Sequence, residues 1–249
     1  MSKDDAKKSR RHRQGDYQKP AIIPPIVPDR IARQIDPEHF SALLARAEAF
    51  AQRRFGPILP QLGAAFFRGR SKDDLTDEGL QAAFRAWVLY GFRDEDGIRI
   101  IDMFAAAGIP PERELGRALT AARQARFAFF EVLERNPKTK QVRARDLNSE
   151  AESPKDEVDF LDRHAYDDLE VSAVLAGWYV PVGALWRPVG AATLIPADKA
   201  ALLREGLDQL HARQNLPREA ATQSQSMQMF WLAFRVANLE AEAGRNRGG

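Results

Sequence analysis

Through the first half of the chain, apolar residues recur at helical spacing. Phe40, Leu43, Leu44, Ala47 and Phe50 fall on one stripe at three- and four-residue intervals, the pattern of a helix that buries one face. Asp36 suits the N-cap and Pro37 the first helical position. A helix is therefore predicted over 36–70, interrupted near Gly56-Pro57, with Leu59, Leu62, Phe66 and Phe67 in its second piece. Thr76 is expected to cap the next helix, with Leu80, Phe84, Trp87, Val88 and Tyr90 or Gly91 inward. Asp94 or Asp96 would cap a third, which buries Ile98, Ile101, Met103 and Phe104 and stops at Gly108. Pro110-Pro111 opens a last helix ending near Gln124.

At Arg126 the period changes. Phe127, Phe129, Phe130, Val132 and Leu133 are side-chain types that fit a pleated, half-buried surface. Asn136-Pro137-Lys138-Thr139 follows, with Asn at the first turn position and Pro at the second, which reads as a type I turn. Beyond it, Val142 and Ala144 share one face and Arg143 and Arg145 the other, the period of a strand with one wet side. An antiparallel hairpin over 126–147 is predicted. After a polar, acidic connection, strands are expected at Glu157–Leu161, Leu169–Val182, Ala184–Trp186 and Ala192–Ile195. In the second of these Val171, Ala173 and Leu175 share one parity, and Gly177 and Pro181 imply a bend or bulge. Short strands joined by turns suggest a small, partly closed antiparallel sheet. Pro196 opens a helix carrying Leu202, Leu203, Leu207 and Leu210. A polar link from Pro217 to Gln225 then leads to Met227–Leu239, which is apolar around most of its circumference. The chain thus reads as α+β. A basic, Pro-rich extended tail covers 1–35, a helical region 36–125, a small antiparallel β module 126–195 and C-terminal helices 196–249.

The order WVLYGF (Trp87–Phe92), DEDGIRIIDMF (Asp94–Phe104), FFEVLE (Phe129–Glu134), VRARDL (Val142–Leu147) and PVGALWRPVGAATLIP (Pro181–Pro196) resembles bacterial proteins that often end in a SEC-C zinc-binding tail. The resemblance spans roughly residues 75 to 205 and implies a helical segment before a small β module. It implies no reaction, and with no cysteine this chain lacks the SEC-C tail itself.

Composition narrows the chemistry. The 249 residues carry a formal net charge of +2, so no global field calls for a nucleic-acid partner. The absence of cysteine excludes disulfides, thiolate nucleophiles and cysteine-ligated metal centres, and fits a reducing compartment. There is no apolar signal region and no run of about 20 apolar residues, so a cytoplasmic protein without a membrane partner is expected. The first twenty residues are basic, with Lys3, Lys7, Lys8, Arg10, Arg11, Arg13 and Lys19 against Asp4, Asp5 and Asp16.

Three groups of residues are candidates for function. Asp156, Asp159, Asp162, His164, Asp167 and Asp168 place carboxylates around an imidazole, a set able to hold a hard cation or to pair an acid with a base. Asp159 and Asp162 share a face only if the segment is helical, whereas Val158 and Phe160 argue for a strand. A solvated acidic loop that limits edge pairing is the plainer alternative. The second group is basic: Lys7, Lys8, Arg10, Arg11 and Arg13 in the tail, with Lys140, Arg143 and Arg145 on the hairpin and Lys138 and Arg135 nearby. Together they form a usable phosphate-binding surface, unless Arg143 and Arg145 pair with Glu131 and the acidic loop. In the third, Phe230, Phe234 and Ala237 lie on one face of the last helix, as a partner or self-association surface or as core. Trp178, Tyr179 and Trp186 line a groove or pack inside. His12, His39 and His211 carry no further signal, His211 closing a helix where a cation suits the dipole. GxSxG, HExxH, P-loop and dinucleotide glycine patterns are absent. The expectation is a non-catalytic binding or adaptor protein that needs no cofactor. It would engage a protein partner, or nucleic acid through the basic tail, and would self-associate, if at all, through the last helix. The alternative is a divalent-metal-dependent enzyme using Asp159, Asp162 and His164.

Overall fold

A computed structural model describes residues 37–108, 112–148, 157–161, 167, 169–182 and 185–239. Helices α1 (Pro37–Phe55) and α2 (Leu59–Phe66) flank the break at Gly56-Pro57, with Leu43 and Ala47 fully buried on the anticipated stripe. The next helices begin differently from the sequence reading. Thr76 ends a short α3 (Lys72–Thr76), and Asp77 caps α4 (Glu78–Ala86) by accepting from the Leu80 N–H at 2.7 Å. The chain then tightens into a buried π-helical turn, Trp87–Gly91. Asp94 caps no helix. Its carboxylate accepts from the Asp96 and Ile98 amides and closes the turn that precedes α5 (Ile100–Ala106). Gly108 stops that segment as expected, with φ +77°, and α6 (Arg113–Ala122) leads to the sheet. Asp36 and Pro110-Pro111 lie outside the described residues.

The β module is a closed barrel of five strands: β1 (Arg126–Asn136), β2 (Gln141–Asp146), β3 (Glu157–Leu161), β4 (Val174–Val182) and β5 (Leu185–Ile195). Around the barrel the order is β1-β2-β3-β5-β4, antiparallel except for β3 and β5, which run parallel at Phe160↔Trp186. The expected sheet was antiparallel throughout and only partly closed. Closure in this order, with one parallel pair, gives the connectivity of an OB-type Greek-key barrel. Long β1 serves both neighbours: Arg126 to Glu131 pair with β4, and Phe130 to Asn136 with β2. A bulge at Leu133, between the Val132↔Ala144 and Glu134↔Arg143 pairs, bends it from one to the other. At the hairpin tip the Asn136 carboxamide oxygen accepts from the Lys138 and Thr139 amides, and Lys140 turns the chain back with φ 56°.

Two expected strands change shape. Val171 is not in a strand; it is exposed beside Ser172, whose φ is 71°, in the turn that enters β4. The two short candidates around Pro188 and Gly190 are one continuous strand, β5. Its register breaks opposite Gly177, because β5 runs from Val189 to Thr193 while β4 advances only from Trp178 to Ala176. Gly177 permits this, since a Cβ there would sit 3.2 Å from the Ala192 Cα. Gly190, at φ +81°, carries β5 across α4, where a Cβ would lie 2.7 Å from the Ala82 carbonyl oxygen.

Alternation sorts the strands onto two cores. Ala128, Phe130, Val132, Val142, Ala144, Phe160, Leu175 and Tyr179 fill the barrel. The opposite parity of β1, β4 and β5, including Phe127, Phe129, Ala176, Trp178, Val180 and Val189, faces outward into the helices. The C-terminal helices complete this layer: α7 (Ala200–Ala212), α8 (Arg218–Ser224) and α9 (Ser226–Ala237). The segment expected to be a polar link is thus helix α8, and Leu202 of α7 is exposed while Leu203 and Leu207 are buried. No helix among the described residues is long and apolar enough to cross a membrane.

Candidate functional site

Helices seal the outer wall of the barrel along β1, β4 and β5, and the wall built by β2 and β3 carries charge. Val142 and Ala144 point inward, so Arg143 and Arg145 point outward, as their alternation requires. Each meets a carboxylate. Arg143 Nε lies 3.5 Å from Asp159 Oδ1 of the neighbouring strand and Nη1 3.7 Å from Glu134 Oε2. Arg145 Nη2 donates to Glu131 Oε2 at 2.9 Å, and Arg204 of α7 holds the other oxygen of the same buried carboxylate. At the hairpin tip Lys140 Nζ donates to Asp167 at 2.9 Å, which keeps the Asp167 carboxyl below its usual range. Lys140, Arg143 and Arg145 of the phosphate-surface candidate thus each stand beside a carboxylate. Lys7, Lys8, Arg10, Arg11 and Arg13 of the tail lie outside the described residues.

The acidic candidates divide in the same way. Residues 157–161 form a strand, so the helical geometry that would have faced Asp159 towards Asp162 is not present in that stretch. Asp159 is occupied with Arg143 and Asp167 with Lys140. Asp156, Asp162, His164 and Asp168 lie outside the described residues. Among the described residues no three His, Cys, Asp or Glu side chains gather as metal ligands would.

On the last helix Phe230 is buried within its own chain, its ring centroid 5.6 Å from Phe66 and 5.8 Å from Trp178. Phe234 and Ala237 are half-buried and pack on the same core. Trp178 is buried in the helix-facing core and Tyr179 inside the barrel, with half-buried Trp186 packed against the barrel interior. These aromatics serve as core.

The densest buried polar network lies at one mouth of the barrel. Asp146 continues the inward parity of Val142 and Ala144 and is buried. Arg126, the first residue of β1, reaches it at 3.1 Å, pairs with Glu219 of α8 at 3.0 Å, and lies over the Trp186 ring at 4.7 Å from the centroid. Burial raises the Asp146 pKa, with Arg126 opposing. The Asn148 amide donates to Asp146 Oδ1 at 2.9 Å. Thr222 Oγ1 donates to Asn148 Oδ1 at 2.8 Å and lies 3.0 Å from His211 Nε2. The only Thr222 hydroxyl proton is directed at Asn148, so its oxygen accepts from His211, which therefore carries its proton on Nε2. This polarity is the reverse of nucleophile activation, in which the imidazole accepts. Burial lowers the His211 pKa and Arg218 acts in the same direction, with Asp208 opposing.

Alongside runs a second device. The Gln223 side chain accepts from Phe127 N–H at 2.9 Å and donates to Phe127 C=O at 2.7 Å, replacing a missing strand partner on β1. Glu219, Thr222 and Gln223 stand at i, i+3 and i+4 on one face of α8, so the helix clips the start of β1. No local motif in the sequence marks this network. A signal for it existed, since period 2 from Val142 already places Asp146 inside the barrel, where a carboxylate requires a cation or a donor.

No protein-family model, curated protein or solved structure matches the chain.

Proposed function

We propose that this chain is a non-catalytic binding protein that docks a protein partner on the β2–β3 wall of its barrel. The observation that carries this reading is the asymmetry of the barrel: one outer wall is apolar and sealed by helices, the other polar and alternating in charge. Barrels of this connectivity bind oligonucleotides and oligosaccharides on the strand 2–3 face and adjoining loops; here the mixed charge of that face favours a different ligand. Arg143, Asp159, Glu134 and Glu157 present both signs within one surface, which suits the complementary charges of a protein interface. A polyanion would have to displace a carboxylate from Lys140, Arg143 and Arg145, which weighs against nucleic acid.

The test is a pull-down from native lysate with and without nuclease, using the native chain, Arg143→Glu, and a chain lacking residues 1–19. A protein that survives nuclease and is lost with Arg143→Glu supports the reading. Nucleic acid that elutes with salt and is lost with the tail overturns it in favour of phosphate binding. The metal-enzyme alternative predicts a melting temperature that rises with added Mn²⁺, and no rise is expected.

A further inference from the structure

We propose that His211 is an acid-sensitive latch: a second proton on the buried ring has no acceptor, so in acid the ring leaves its site, which opens the His211–Thr222–Asn148 chain and releases α8 from the edge of β1. The geometry is that of a network with no spare acceptor. His211 Nε2–H is committed to Thr222, and His211 Nδ1 is buried without a partner among the described residues. A second proton on the ring must sit on Nδ1, where no acceptor stands among the described residues, and a buried unpaired donor on a charged ring is costly.

The charges facing the ring come from each element packed around it. Asp208 lies on α7 and Arg218 and Glu219 on α8, Asp146 and Arg126 stand at the strand ends, and the single charge of α9, Arg235, is exposed. Asp208 is the anion that favours a charged ring, but it accepts from Arg218 at 2.8 Å. Arg126, Asp146 and Glu219 likewise satisfy one another.

The direction of the pH effect follows. An imidazole whose folded pKa lies below its ordinary value of about 6.5 stabilises the closed state above that pH. The stabilisation is lost as pH falls from about 6.5 through the lowered value. Asp146 acts oppositely: its raised pKa favours the folded state at low pH, so acid loosening would originate at His211. α8 has seven residues, too few to persist as a helix without its docking contacts. Losing Thr222 therefore loosens Glu219 and Gln223 together and uncovers the Phe127 N–H and C=O for another strand.

Amide hydrogen exchange on the full chain, corrected for intrinsic rate, tests the latch between pH 7.5 and 5. The Phe127 amide, held by Gln223, is compared with the Val132 amide, which donates to Ala173 C=O at 2.9 Å. Phe127 protection is expected to fall by up to about tenfold per pH unit below about 6.5, while Val132 is unchanged. His211→Gln keeps an N–H donor without the titration and should hold Phe127 protected at both ends. Constant Phe127 protection, loss shared with Val132, or a pH dependence that survives in His211→Gln overturns the proposal. If that variant does not fold, the imidazole titration of the native chain decides. Its midpoint must coincide with that of the Phe127 loss, and separate midpoints refute the latch.

Discussion

Gly190→Ala probes the seam between the barrel and the helices. Two effects add at this position. At φ +81° an alanine is in the left-handed region, which costs about 1–2 kcal/mol. Its Cβ would also stand 2.7 Å from the Ala82 carbonyl oxygen and 2.8 Å from the Ala86 Cβ. One of these neighbours is helix backbone and cannot rotate away, so α4 and β5 must separate, at about 1–3 kcal/mol. The sum, about 2–5 kcal/mol, is a large part of the roughly 5–15 kcal/mol that holds a domain folded. At about 2–4 °C per kcal/mol for a chain of this size, the melting temperature should drop by about 4–20 °C. Gly97→Ala is the control, because Gly97 has φ +76° with nothing within 4 Å of the added Cβ. It should carry the backbone strain alone, about 2–8 °C. Thermal melts followed by circular dichroism, with urea titrations of the same proteins, give both numbers. Equal losses in the two variants would refute the reasoning, since they would mean that α4 and β5 do not press together at Gly190.

Two further substitutions test local parts of the argument. Asn136→Ala removes the acceptor of two turn amides; a loss of about 0.5–1.5 kcal/mol is expected in urea titration, and none would mean that Lys140 alone directs the turn. Glu131→Gln leaves Arg145 and Arg204 facing an amide. Because their side chains keep 28% and 42% exposure and can rehydrate, the loss should be about 1–3 kcal/mol, below the 3–5 typical of a fully buried pair; a loss of 3–5 would show that both cations stay dry.

Much of the fold was legible because local patterns and burial agree. The stripe from Phe40 to Phe50 and the alternation of Val142 and Ala144 against Arg143 and Arg145 each face the side the period demands. The turn at Asn136 followed from residue chemistry alone. The failures have physical causes. Helix α8 looked like a link because its working face, Glu219, Thr222 and Gln223, satisfies polar groups of β1 and β2 instead of burying apolar surface. β5 was divided at Pro188 and Gly190 because both usually interrupt a strand, whereas here Gly190 is what lets the strand pass α4. The hairpin arginines were legible as a basic row, but their neutralisation depends on Asp159 and Glu131 arriving from other strands. At the barrel mouth, Arg126 and Asp146 were within reach of sequence reasoning. His211 and Thr222 were not, because nothing local reveals that α7 and α8 return to the end of β2.

The parallel junction of β3 with β5 also bears on the order of assembly. β1 and β2 meet through a four-residue loop and can zip within microseconds, and β4 and β5 are also sequence neighbours. The β3–β5 junction registers a single residue pair, Phe160↔Trp186, between strands that β4 separates in sequence. It returns few bonds for the chain entropy its closure removes. The barrel is thus expected to form from two hairpins whose final joining sets the folding rate. Substitutions at Phe160 or Trp186 should then slow refolding, and so should those in the Asn136 turn, which forms before this barrier.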